Sequence, residues 1–155
     1  KSLGSLWAIA QSEPKDFMTY SLSRLQAKLN AQASAVLRSC SSLSLVQWRI
    51  LLVLRVMEAD SLTTICRVSD MDKGQVSRKL NKLIDDGLVV SKPDQSDHRT
   101  HRLSLSDAGH RLYERILPLM QKRQDHLLGT LTPEEQTHLR SMLGRLMDAA
   151  ERRDF

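Results

Sequence analysis

The chain has 155 residues, 41% of them hydrophobic, enough for one compact domain, or a small domain with an assembly element, but not for two large cores. Its 23 Lys and Arg against 18 Asp and Glu give a net charge of +5, which favours a polyanionic partner. Two cysteines, Cys40 and Cys66, with no CxxC pair exclude a disulfide scaffold, and no run reaches the roughly 18 apolar residues that cross a bilayer, so a reducing cytoplasmic setting is expected.

The N-terminus lacks the basic region and apolar core of a signal peptide. Leu3, Leu6, Trp7 and Ile9 recur at helical spacing before Pro14, as in a short helix or an arm packed on a partner subunit. From Lys15 to about Ser39, Phe17, Tyr20, Leu22, Leu25, Leu29 and Val36 form the apolar stripe of a long amphipathic helix. Ser44 and Gln47 then make a capping box, in which each side chain satisfies a free backbone donor. The helix they open carries Trp48, Leu51, Leu52 and Val56, with Ile50, Val53 and Leu54 widening the apolar face, so it should be buried. Glu58 to Ser61 turns the chain into a short helix, Leu62 to Val68, with Leu62, Ile65 and Val68 inward.

Asp72 and Gln75 form a second capping box at the start of a more basic helix. Two short helices joined by a tight turn are the helix-turn-helix pattern. At about 100° per residue, Val76, Leu80, Leu83 and Ile84 share one arc, and Gly74, Gln75, Arg78 and Lys82 lie opposite. Lys73 to Lys82 holds four basic residues and no acid, and Gly74 leaves room near backbone N–H groups that favour an anion. Gly87 sits where a C-cap glycine belongs.

Leu88 to Lys92 and His101 to Leu105 read as two strands with Val90, Leu103 and Leu105 packed, joined by the charged turn PDQSDHRT. Ser106 caps a long helix through Leu112, Ile116, Leu119, Met120, Arg123 and Leu127, with Pro118 inside it as a possible bend. Thr132, Pro133 and Glu135 start a last helix, with a stripe of Leu139, Met142, Leu143, Leu146 and Met147. The fold expected is mainly α with a small β-hairpin wing. Terminal helices with such stripes exceed what so small a centre can cover, and a homodimer in which they interleave is the economical solution.

The order of residues from Asp72 to Gly109 resembles the MarR (multiple antibiotic resistance regulator) family. DKGQVSRKLNKLIDDGLV looks like its recognition helix, and DHRTHRLSLSDAG looks like its wing, with Asp97, Arg99, Leu105, Ser106 and Gly109 at the signature positions; LSLVQWRILLVL matches its second helix. The resemblance implies a single winged helix-turn-helix domain over 1–155, with a DNA-binding module at 43–106 and dimerisation helices at 1–42 and 107–155. It implies a homodimer on double-stranded DNA, commonly a repressor released by a small effector, here an aromatic or phenolic acid or a related conjugate. Gln75, Ser77 and Arg78 would lie nearest base edges, and Lys73 and Lys82 nearer phosphates. Arg99, directed by Asp97 with His98 between them, would enter the minor groove, where arginine suits a narrow, negative channel.

Phe17, Tyr20 and Trp48 are candidates for an effector pocket, with ordinary core packing as the competing reading for each; Arg49 or His110 could meet an anionic ligand. Cys40 and Cys66 raise a redox-sensing alternative, yet neither lies near the start of the first long helix, where the peroxide-sensing relatives would carry theirs. The five histidines, His98, His101, His110, His126 and His138, form no HxxxH or Cys/His cluster, so no metal or cofactor is expected. No GxSxG, P-loop, GxGxxG or HExxH occurs, and Asp85 and Asp86 read as the polar end of a helix, which argues against an enzyme. A helical interaction module without a specific operator is the remaining alternative.

Overall fold

The computed structural model describes residues 17–56, 61–69, 71–94 and 101–152. The N-terminal arm, most of the turn at Glu58 to Ser61 and the wing tip lie outside them. Six helices and one hairpin follow in the order α1 (Met18–Cys40), α2 (Leu45–Val56), α3 (Leu62–Ser69), α4 (Lys73–Asp85), β1 (Val89–Pro93), β2 (His101–Leu105), α5 (Asp107–Leu128) and α6 (Pro133–Glu151) among the described residues. The chain divides into two compact units, 1–116 and 117–155, with the boundary inside α5.

Local chemistry sets where the helices begin and end. The Ser44 amide donates to Gln47 Oε1 at 2.9 Å and the Gln47 amide to Ser44 Oγ at 3.3 Å, which satisfies two donors at the start of α2. Thr132 and Glu135 close the same reciprocal pair at α6, with Pro133 in its first turn. At α4 only half of the expected box forms. Asp72 Oδ1 accepts from the Gln75 amide at 2.8 Å, and no reciprocal bond from Gln75 to the Asp72 amide occurs among the described residues. Gly87, at φ 71°, ends α4 in the left-handed conformation that costs glycine least, and its amide and that of Leu88 reach back to Ile84 O and Leu83 O, both at 2.9 Å.

The core of the first unit is made by Leu37 of α1, Ile50 and Leu51 of α2, Ile65 of α3, Val76 and Leu83 of α4 and Ile116 of α5, all fully buried. Several inward assignments need correction. On α1 burial falls on Ala33 and Leu37, toward its C-terminal end, while Phe17, Tyr20 and Leu25 are exposed. Val56 and Val68 lie outward at the ends of α2 and α3. Ile65 is the buried residue of α3, and Val68, three residues on in its last turn, is exposed although the two share a helix face. On β1 the packed residue is Val89 and not Val90: Val89 pairs with Leu105 and Ser91 with Leu103, so a period of two carries Val90 to the outer face. On α5 burial falls on Gly109, Tyr113 and Ile116, with Leu112 half-buried and Leu119 exposed.

The second unit holds the end of α5 and all of α6, joined by a turn in which Gln136 Nε2 donates to Leu128 O and Leu131 O at 3.0 and 3.2 Å. No residue of α6 is buried, and its stripe of Leu139, Met142, Leu143, Leu146 and Met147 faces outward.

Candidate nucleic-acid interface

Helix α4 rests on α2 and α3 through Val76, Leu80 and Leu83, and this support fixes which side faces out. Lys73, Gly74, Gln75, Arg78 and Lys82 are exposed, and Ser77 and Lys79 are half-buried at the edges of the face. The five residues expected on the recognition helix therefore share one accessible surface, with Ser77 at its margin. Gly74 matters for space. A side chain there would begin 3.2 Å from Asp72 Oδ1 and 3.6 Å from a terminal nitrogen of Arg78, whose guanidinium lies back toward the helix start.

Two charged partners modify this face. The Asp72 carboxylate occupies the end of α4 with its own negative charge, so it fills the place that free helix-end amides would offer a phosphate. Lys82 Nζ sits 2.6 Å from Asp86 Oδ1, one turn along α4. The hydrogen bond that Lys82 donates to Asp86, and then the Asp86 charge, hold the Lys82 ammonium above the ordinary lysine range. Beside this flank lies an open cleft of about 660 Å³ whose charged residues are Lys79, Lys82, Asp86 and Arg115.

The hairpin follows α4 directly. Its inner face, Val89, Leu103 and Leu105, is buried, and its outer face presents Lys92 opposite Arg102. Ser91 Oγ and His101 Nδ1 lie 3.1 Å apart, and Arg102 Nε donates to Asp94 Oδ2. The wing residues Asp97, His98 and Arg99 lie outside the described residues. A close junction ties the base of the hairpin to α5. The Ser106 hydroxyl donates to Gly87 O at 2.6 Å and accepts from the Gly109 amide at 3.0 Å, while the Ser106 amide donates to Leu88 O at 3.1 Å.

The three candidates for an effector pocket are not brought together. Trp48 is buried and stacks on Tyr113 with ring centroids 5.3 Å apart and planes 13° from parallel, whereas Phe17 and Tyr20 are exposed at the start of α1. None of the three lines the cleft beside α4. Arg49 donates to Asn30 Oδ1 at 2.9 Å, tying α2 to α1. Cys40 and Cys66 are half-buried, and the Cys40 thiol donates to Val36 O. No cluster of three metal-ligating side chains occurs among the described residues, and no single helix there is long and apolar enough to cross a membrane.

Sequence reasoning passed over Asp94, Arg102 and Tyr113. Asp94 follows Pro93 in a run of turn formers and gives no sign of its burial, and its partner emerges only from the strand register. Tyr113 stands one residue from Leu112, and the buried line of this helix runs through Gly109, Tyr113 and Ile116.

Residues 41–100 match the sequence pattern of the MarR family. The HTH-type transcriptional regulator PetP of Rhodobacter capsulatus is 30% identical over 95 residues, covering 61% of this chain and 57% of that protein. The chain spans about half the length of the curated relatives it matches. A MarR/EmrR family transcriptional regulator from Acinetobacter sp. ADP1 superposes with a TM-score of 0.84 at 24% identity, over 90% of this chain and 99% of that one. Staphylococcus aureus MepR, solved as a DNA complex, gives 0.80 at 17% over 90% and 100%. PcaV of Streptomyces coelicolor, solved with its natural ligand, gives 0.76 at 22% over 90% and 98%. At these identities the likeness is one of fold.

Proposed function

We propose that this chain, whose residues 41–100 match the MarR family, is a sequence-specific DNA-binding transcriptional regulator. It acts as a homodimer on a pseudo-palindromic operator, as a repressor that a small aromatic or phenolic acid, or a related conjugate, releases. The observation that carries the reading is the outward face of α4: Gln75 and Arg78 exposed together, Lys73 and Lys82 around them, and Val76 and Leu83 fully buried behind. A helix so supported fits the major groove, where Arg reads guanine and Gln reads adenine through paired hydrogen bonds. Asp97, His98 and Arg99 serve the adjacent minor groove in this reading.

The test is selection from a randomised duplex library by the wild-type protein, followed by variants on the selected site. Arg78→Ala should lose discrimination by about 10- to 100-fold at one position of each half-site, as expected for a lost base contact. Lys82→Ala should weaken binding evenly across sequences and lower the slope of log affinity against log salt by about one. Recovery of no preferred sequence would defeat the reading in favour of an interaction module.

The dimer reading rests on apolar stripes exposed among the described residues. Met18, Tyr20 and Leu25 on α1 and Met142, Leu146 and Met147 on α6 are exposed, more large apolar surface than an isolated chain ordinarily leaves in water. Residues 1–42 and 107–155 serve assembly and 43–106 serves DNA. Light scattering at micromolar concentration should give twice the 17.6 kDa chain mass, and a monomer would overturn the assignment. For the effector, Phe17 and Tyr20 are the accessible members of the proposed pocket, and the ligand-bound PcaV structure supports the class of mechanism. A compound that raises the melting temperature and is the effector must weaken DNA binding by the same coupling.

A further inference from the structure

Only two polar or charged side chains are buried among the described residues, Gln47 and Asp94. Gln47 is accounted for by its cap. Asp94 is not, because it lies just beyond β1 with 7% of its surface exposed, where a carboxylate has to be paired to be tolerated. One partner comes from across the hairpin: Arg102 Nε donates to Asp94 Oδ2, and the Arg102 side chain is 63% exposed. The register sets Arg102 directly opposite Lys92, two like charges on the outer face of a two-stranded ribbon. Such a pair repels, and the Asp94 carboxylate offsets the repulsion at the point where the strands part. Asp94 and Arg102 also bracket the six-residue segment 95–100, which holds Asp97 and Arg99.

We propose that Asp94 is the positioning residue of the wing: by holding Arg102 across the base of the hairpin, it sets the direction in which the wing meets DNA and turns the outer Lys92–Arg102 face toward the phosphates. The inference rests on the DNA-binding reading and assigns to this ion pair what the sequence pattern assigns to Asp97 alone. It makes a prediction whose sign is opposite to simple electrostatics. Removing a carboxylate from a surface that approaches DNA raises the local positive charge and should tighten binding. Removing a positioning residue should loosen it. Arg102→Lys keeps the charge but loses the planar guanidinium that a carboxylate can hold in one direction, so it should behave like the Asp94 variant.

The experiment measures Asp94→Asn and Arg102→Lys binding to a duplex selected by the wild-type protein from a randomised library, with thermal melting of each variant alongside. Both should bind about tenfold more weakly than wild type while melting as cooperative folded proteins. Combined with Arg99→Ala, Asp94→Asn should cost little further affinity, because both act through one wing; a fold defect alone would give additive losses. Asp94→Asn binding as tightly as wild type, or tighter, overturns the inference and leaves the DNA reading intact. Full additivity with Arg99→Ala, or Arg102→Lys at wild-type affinity, also overturns it. Failure of the wild-type protein to select any duplex defeats the DNA reading and this inference with it.

Discussion

Gly109→Ala is expected to be among the most damaging single substitutions in the chain, although by helix propensity it should help. Gly109 lies in the first turns of α5, where alanine is ordinarily preferred to glycine by up to about 1 kcal/mol. The reason for the opposite expectation is a backbone atom. A Cβ at this position would stand 2.1 Å from Leu88 O and 3.1 Å from its carbonyl carbon, far inside contact distance. Leu88 O cannot retreat cheaply, because it accepts from the Ser106 amide and the adjoining Gly87 O accepts from the Ser106 hydroxyl. Inserting the methyl therefore forces α5 away from the base of the hairpin, at a cost of about 3 kcal/mol, the upper end of the usual range for overpacking. Urea melts should show a lower midpoint at unchanged slope. Unchanged or higher stability would mean that the junction is loose. Because the same junction joins the long helix α5 to the hairpin, Gly109→Ala should also impair the proposed DNA binding beyond what unfolding explains.

Trp48→Ala is the second, and it separates the two readings of that residue. Trp48 is buried on α2 and stacked on Tyr113 of α5, so its removal opens a large hole between two helices that frame the core. Loss of a buried tryptophan typically costs about 3 to 5 kcal/mol, a large part of the stability of a domain this size. If Trp48 chiefly lined an effector site, its replacement would leave the melting temperature near wild type and abolish the shift produced by a bound aromatic acid. The burial and stacking favour the first outcome, with a further loss of roughly 1 kcal/mol that a Trp48/Tyr113 double-mutant cycle would assign to the ring pair. Wild-type stability in Trp48→Ala would restore the pocket reading.

What the sequence determined by itself was mostly local. Ser44 with Gln47, Thr132 with Glu135 and Gly87 with its left-handed turn mark helix boundaries because each satisfies backbone groups within a few residues, and the same spacing arithmetic put Val76, Leu80 and Leu83 behind α4 with Arg78 in front. These features need nothing from elsewhere in the chain. The tertiary structure decided the rest. Val89 and not Val90 faces inward because β2 sets the register, and Asp94 finds Arg102 only once the hairpin closes. Gly109 beneath Leu88 O and Tyr113 against Trp48 belong to the same class. Hydrogen bonds and periodicities spanning up to four residues follow from backbone geometry alone, whereas contacts between distant residues depend on where the chain returns, and one residue of slip reverses which side chain meets which.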